Sequence, residues 1–488
     1  MHSMHNKNRT SKMVFCAVLA SALVLAFTST DERYVLGPGL ACIVMVHWLW
    51  MTLWDRDQKI PFFDVGFFCA LATLVYTVYP LFNYWMDGMQ FGPLADNRLR
   101  AMNPSPAELG EFHIRHVLYL LSFIAFYSTF RGKGTIEIGK ICTTGPAAWQ
   151  VIFFCFLLLS GYFYILQLTT GADFNASYDP KLYASNLAAY VSMPLLLLQI
   201  SVKLRGVQFV FKFALLFFVV SRCRQKQWLI FLLLWISAEV LLTVFVKGAR
   251  SQLVFFVFAT VLFYHRMIKP LTIKFLITSG AAFLLVFIFL GLYRAYNNLD
   301  ELSSALNLSG SGIFSATNEF QSLLGTAYDV YRLKQSGIDL PWYLYFNDIM
   351  PILPPHQFLP FEKIVASEWY LSVIGLSGTG QGYMWGVISQ SIVGLDWLEL
   401  AVRGAILGYI LARFHRWYLK HQSGFLETLV YVFFCIKIYY TFRDTTFSFL
   451  TNFVWEIIPF YILLRVGVGI LPKKTANQSG PSPCLPSK

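Results

Sequence analysis

Residues 228–266 read WLIFLLLWISAEVLLTVFVKGARSQLVFFVFATVLFYHR, and this stretch decides the fold. Two continuous apolar runs flank the short turn Lys247-Gly248-Ala249-Arg250, and Glu239 is the only acid in either. A run of ~20 apolar residues is what a helix needs to cross a ~30 Å hydrocarbon core. Similar runs recur through all 488 residues, so that 56% are hydrophobic and 13% charged, against roughly 25% charged in a soluble domain. Continuous runs, in place of apolar and polar alternation, argue against a transmembrane barrel. The pattern predicts an all-α polytopic membrane protein.

Spans near 13–30, 34–54, 60–85, 112–130, 148–168, 186–202, 228–246, 251–265, 271–293, 397–414, 426–442 and 446–466 give about 12 transmembrane helices. With the N-terminus inside, Arg131–Lys140, Lys203–Lys226, Arg266–Lys269 and Arg413–Lys420 all fall inside, and all are basic. The net charge of +12 is therefore a topological signal and not a nucleic-acid surface. The apolar piece Val207–Val220 is about 14 residues, short for a span, and reads as interfacial or re-entrant. Lys7, Arg9 and Lys12 before Met13–Thr30 mimic a signal peptide, read here as an uncleaved first helix. The eight cysteines show no paired or metal-site spacing.

The organisation expected is N-terminal helices over 1–226, central helices over 227–293, a long external loop over 294–396, C-terminal helices over 397–472 and a disordered cytoplasmic tail over 473–488. A loop of roughly 100 residues is uncommon in a packed bundle and usually functional. Within it Phe320, Leu323, Leu324, Ala327 and Tyr331 predict an amphipathic helix ended by Gly337.

Three arginines, Arg250, Arg294 and Arg443, each border an apolar run, and this topology puts all of them at the outer face. The guanidinium fork offers fixed donors and never deprotonates, which suits it to phosphate and diphosphate. Snorkelling at helix ends is the alternative for any one of them. Glu239 and Lys437 lie inside spans, both ~10 Å below the outer helix ends at ~1.5 Å per residue, and are expected to form a structural ion pair. Glu319, Asp348 and His356 are the loop's candidate proton acceptors, among other loop carboxylates such as Glu362 and Glu368. His113 and His116 read as interfacial, with no further ligand evident and no metal expected.

From Glu239 to Pro472 these residues resemble the bacterial Wzy-type O-antigen or oligosaccharide repeat-unit polymerases. The resemblance rests on Lys247-Gly248-Ala249-Arg250, Arg294, the Pro-rich Pro351–Lys363 segment, Gly378–Gly394, the Gly404–Gly408 span and Arg443-Asp444. Ala249 stands where the family usually has Ser, and Gln390 where relatives often carry Glu. The resemblance implies a GT-C-like fold and a metal-independent, inverting, cofactor-free glycosyl transfer at the outer face of the inner membrane. Undecaprenyl-diphosphate-linked oligosaccharides would be donor and acceptor, with a chain-length regulator and a flippase as candidate partners. Arg250, Arg294 and Arg443 would hold the diphosphates, and the loop would cover the site. The O-antigen ligase is the nearest alternative, and a lipid-linked oligosaccharide flippase the next. Sparse intramembrane charge and the long loop speak against the flippase.

Overall fold

Inside an apolar medium only a helix satisfies each backbone amide within its own segment, so each apolar run is driven to that state. The computed structural model describes residues 37–53, 64–86, 106–132, 145–171, 192–242, 250–272, 318–337, 340–354, 359–361, 364–375 and 384–470, with isolated positions between. The helices are α1 Gly37–Leu53, α2 Val65–Met86, α3 Pro106–Phe130, α4 Pro146–Thr170, α5 Leu195–Ser221, α6 Lys226–Leu242 and α7 Arg250–Met267. They continue as α8 Asn318–Gln335, α9 Ala366–Val373, α10 Gly386–Val393, α11 Trp397–His421, α12 Phe425–Lys437, α13 Tyr440–Arg443, α14 Ser448–Asn452 and α15 Ile458–Ile470. A π-helical turn, Phe453–Ile457, joins α14 to α15. Among the described residues there is no strand, and five helices are long and apolar enough to cross a membrane. The expected spans 13–30 and 271–293 and the tail lie outside the described residues.

The crossing expected at 186–202 is displaced: α5 runs unbroken from Leu195 to Ser221 and ends at the basic turn Arg222–Lys226. Val207–Val220 is its C-terminal half, with Val210, Phe211, Ala214 and Phe217 in the core, and is not an interfacial piece. In the sequence, the charge at Lys203 looks like the end of an apolar run. The buried aromatic partners of this helix outweigh that local polarity.

α3 and α11 form the closest helix pair. A Cβ at Gly404 would lie 2.5 Å from the Tyr119 carbonyl oxygen, and one at Gly408 would lie 2.4 Å from that of Phe123. Only glycine lets the two backbones meet at this distance, as small-residue packing in membranes requires. α4 presents Phe153, Phe154, Leu157, Leu158, Ile165 and Leu168 outward, a face suited to acyl chains.

Four arginines are tied down at the two ends of the bundle. At one end the Arg115 fork donates to both Asp396 oxygens (2.9 and 3.0 Å), and Arg332 meets Glu108 at 2.6 Å. At the other, Arg131 donates to Asp64 at 2.8 Å and Arg266 to the Gln422 carbonyl at 2.7 Å. Each of these four contacts joins residues that the basic-loop pattern assigns to one face, whereas Lys212, assigned to an inner loop, pairs with Glu239 on an apolar helix. Asp396 holds φ +52°, unusual for a non-glycine and costing on the order of 1–3 kcal/mol. The bidentate Arg115 contact, backed by Trp397 at 4.3 Å from the guanidinium carbon, offsets it.

The glycine contact yields a test. Gly408→Leu should drive α3 and α11 apart and lower the unfolding midpoint of the purified protein by several degrees. Gly161→Leu, on a stretch of α4 with nothing within 4 Å, should leave it unchanged or slightly raised, since a helical glycine is worse than Leu by ~1 kcal/mol.

Candidate functional site

α8 is the amphipathic helix the spacing predicts: Leu323, Leu324 and Ala327 are buried, and Gly337 follows it at φ +76°. It is pinned to the bundle by Arg332–Glu108 and by Lys334, which donates to the Ile392 carbonyl. Asp329 accepts from the Tyr370 hydroxyl at 2.5 Å, joining α8 to α9. Residues 340–354 then lie over the turn that follows Arg443. Asp348 pairs with Arg403 and accepts the Phe447 amide at 3.2 Å, while Arg403 also donates to Glu399 (2.6 Å) and Thr446 (3.3 Å). The Trp455 indole of the π-turn donates to the Ile352 carbonyl at 3.2 Å. Gln390, fully buried, accepts from Trp385 at 2.9 Å and donates to the Leu344 carbonyl at 2.7 Å. A neutral amide with both ends satisfied suits that dry position, where a lone carboxylate would be costly.

Beside this covered turn lies a cavity of about 540 Å³ between α4, α5, the start of α7, the end of α12 and the π-turn. Arg205, Lys212 and Lys437 line it against a single acid, Glu456, with Ser160, Gln167, Gln208 and Tyr440 supplying polar groups. Lys437 is caged by aromatic rings: Phe209 and Phe255 at 5.4 Å, Phe433 and Tyr440 at 5.5 Å. Each such face stabilises a desolvated cation by ~1–2 kcal/mol, so the ammonium is tolerated within apolar helices. Glu239 offsets Lys212, so Arg205 and Lys437 against Glu456 leave this half-open cavity with a net positive charge that suits an anion. Tyr164 and Val202, both largely exposed on the outward surface, stand at its rim.

The expected Glu239–Lys437 pair does not form. Glu239 pairs with Lys212 at 2.5 Å and accepts the Trp235 indole at 3.3 Å, whereas Lys437 faces Glu456 at 3.7 Å. The cause is the placement of α5: once its helix extends to Ser221, Lys212 lies between the two residues that sequence depth alone had matched. Intramembrane charge is accordingly not sparse, since Lys203, Arg205, Lys212, Glu239, Lys437 and Glu456 all sit on apolar helices.

Asp348, expected as a proton acceptor, has both oxygens engaged and acts as a clamp between Arg403 and the Phe447 amide. His113 and His116 are not interfacial. Both are buried, bonded to the Leu109 carbonyl at 2.8 Å and the Thr77 hydroxyl at 3.1 Å. Arg443 extends from α13 over Tyr439, to whose hydroxyl it donates at 3.3 Å. Arg250 opens α7, whose Phe255 packs on Tyr439 and Tyr440 at 5.5 and 6.1 Å, so the starts of α7 and α13 share one end of the bundle. The structure thus brings Asp348, Arg443 and the first turn of α7 to one region. Arg294, His356, Glu362, the side chains of Arg250 and Glu319, and the glycines 378–382 lie outside the described residues. Among the described residues no group of three or more His, Cys, Asp or Glu is placed to hold a metal.

Sequence reasoning missed Arg205, Lys212 and Glu456. Glu456 was legible as a lone acid in the last apolar run, by the same argument that singled out Glu239. The two basic residues were assigned to a loop. Comparison of the chain with protein families, with curated proteins and with solved structures found no match.

The Lys212–Glu239 pairing is testable. Lys212→Met should destabilise the protein by on the order of 2 kcal/mol, between the values for exposed and fully buried pairs. The double variant Lys212→Met/Glu239→Gln should recover most of it, whereas Lys437→Met/Glu239→Gln should not behave as a coupled pair in unfolding measurements.

Proposed function

We propose that this chain is a membrane glycosyltransferase that polymerises polyprenyl-diphosphate-linked oligosaccharide units into a surface polysaccharide at the outer face of the bacterial inner membrane. The observation that carries the reading is the cationic cavity that opens among the spans beside the Arg443 turn, with a docked segment above it. A polyprenyl diphosphate needs an apolar path for its tail and fixed cations for its phosphates, and this arrangement supplies both. The sugar hydroxyl of one lipid-linked unit attacks the anomeric carbon of the other chain. The bond from that carbon to the diphosphate oxygen breaks, and the hydroxyl proton passes to a base, for which Glu319 and His356 remain the candidates. Arg250, Arg294 and Arg443 neutralise the charge that grows on the departing diphosphate, an effect that is large when the donors are preorganised and shielded from water. The docked segment limits water and so favours transfer over hydrolysis.

A second reading, a lipid-linked oligosaccharide flippase, is favoured by one observation: the cavity and its charges lie within the bundle and not on the extramembrane segment. The O-antigen ligase shares the donor chemistry and differs in its acceptor.

In a host whose own copy is deleted, the surface glycan should stop at a single repeat unit, and the wild-type gene should restore the ladder. Arg250→Ala, Arg294→Ala and Arg443→Ala should each fail to restore it at normal expression, and lysine replacements should restore it poorly because a point charge lacks the fork. Full-length chains left on the lipid carrier would identify a ligase. Lipid-linked units trapped inside the cell would identify a flippase.

A further inference from the structure

Resting on the reading that the cavity receives a lipid diphosphate, we infer that Glu456 is an internal counter-ion that holds the anion place beside Lys437 in the empty state and is displaced by the incoming phosphate. Several independent features meet at this carboxylate. Its contact with the Lys437 ammonium is 3.7 Å, beyond hydrogen-bond distance. Its Oε2 is buried with no hydrogen-bond partner, an expensive condition for a carboxylate oxygen. Gly206 faces it so closely that a Cβ there would lie 2.6 Å from Glu456 Cγ, so the space it occupies depends on a residue without a side chain. The residue rides on a π-helical turn, a local insertion that is rare and occurs mostly at functional sites. A neighbouring residue of that turn, Trp455, is bonded to the segment that covers the Arg443 turn.

The charge balance gives the device its logic. With Lys212 held by Glu239, Arg205 and Lys437 are the cations that would retain a doubly or triply charged phosphate group, and strong retention blocks release of the spent carrier. An acid inside the same cavity repels that group and returns to Lys437 when it leaves. Like charges brought together in a poorly hydrated cavity weaken binding, and they do so against every anion alike. The ligand's source follows from the rim: Tyr164 and Val202 lie on the outward face of the bundle, so entry is from the bilayer and the phosphate is one carried on a lipid.

The test uses the full-length protein in lipid nanodiscs, with farnesyl diphosphate as the lipid probe and inorganic pyrophosphate as the free anion. Glu456→Gln should bind farnesyl diphosphate about tenfold more tightly than wild type, and Lys437→Gln should bind it more weakly. Glu456→Asp keeps the charge and should remain near wild type, and unfolding midpoints of all variants report whether each is folded. If wild type binds and Glu456→Gln, folded, binds equally or more weakly, the counter-ion inference is overturned while the cavity's ligand stands. If neither wild type nor Glu456→Gln binds either probe, the reading of the cavity itself falls. Pyrophosphate bound as tightly as farnesyl diphosphate overturns entry from the bilayer.

Discussion

The contact between α3 and α11 at Gly404 and Gly408 is the constraint on which the rest depends. Where two backbones meet this closely, the side chains on either side of the contact have little freedom to choose partners. Towards one end, α3 presents Arg115 to Asp396 and α11 presents Arg403 to Asp348 and Glu399. Towards the other, Tyr127 donates to Asp64 at 2.6 Å and His415 meets the Tyr431 hydroxyl at 2.5 Å. A small-residue stripe thus sets the register from which both polar ends are built, without itself carrying any chemistry.

The described part of the segment between α7 and α11 is not a loose covering. Helix α8 buries an apolar face, and three arginines tie the segment and its neighbours down through Glu108, Asp396 and Asp348. Asp348 takes one Arg403 nitrogen on one oxygen and the Phe447 amide on the other, and so sets the turn after Arg443. The same segment reaches the π-turn through Trp455, so the covered turn and the cationic cavity are mechanically joined.

The fold was legible where one signal dominated. Long apolar runs gave helices, and the spacing from Leu323 to Tyr331 gave α8. It was not legible where burial overrides local polarity. Lys203, Arg205 and Lys212 look like the end of a span, but Trp455, 5.0 Å from the Lys203 ammonium, and Phe256, 5.2 Å from that of Lys212, make such positions tolerable inside it. That one displacement moved Lys212 beside Glu239, left Lys437 to Glu456 and created a charged cavity that no single run of sequence displays. Arg443 was found by its place at a helix end, whereas the partners that shape its surroundings come from segments nearly a hundred residues away and no local pattern announces them.

The central claim is that the cavity and the arginines serve sugar transfer between two polyprenyl-linked substrates. The most direct measurement is to reconstitute the purified protein in liposomes with a defined lipid-linked oligosaccharide and to follow the size of the lipid-linked glycan. The account predicts glycans lengthened by whole repeat units, with one polyprenyl diphosphate freed for each bond made. Glycans of unchanged length, moved from one leaflet to the other, would contradict it.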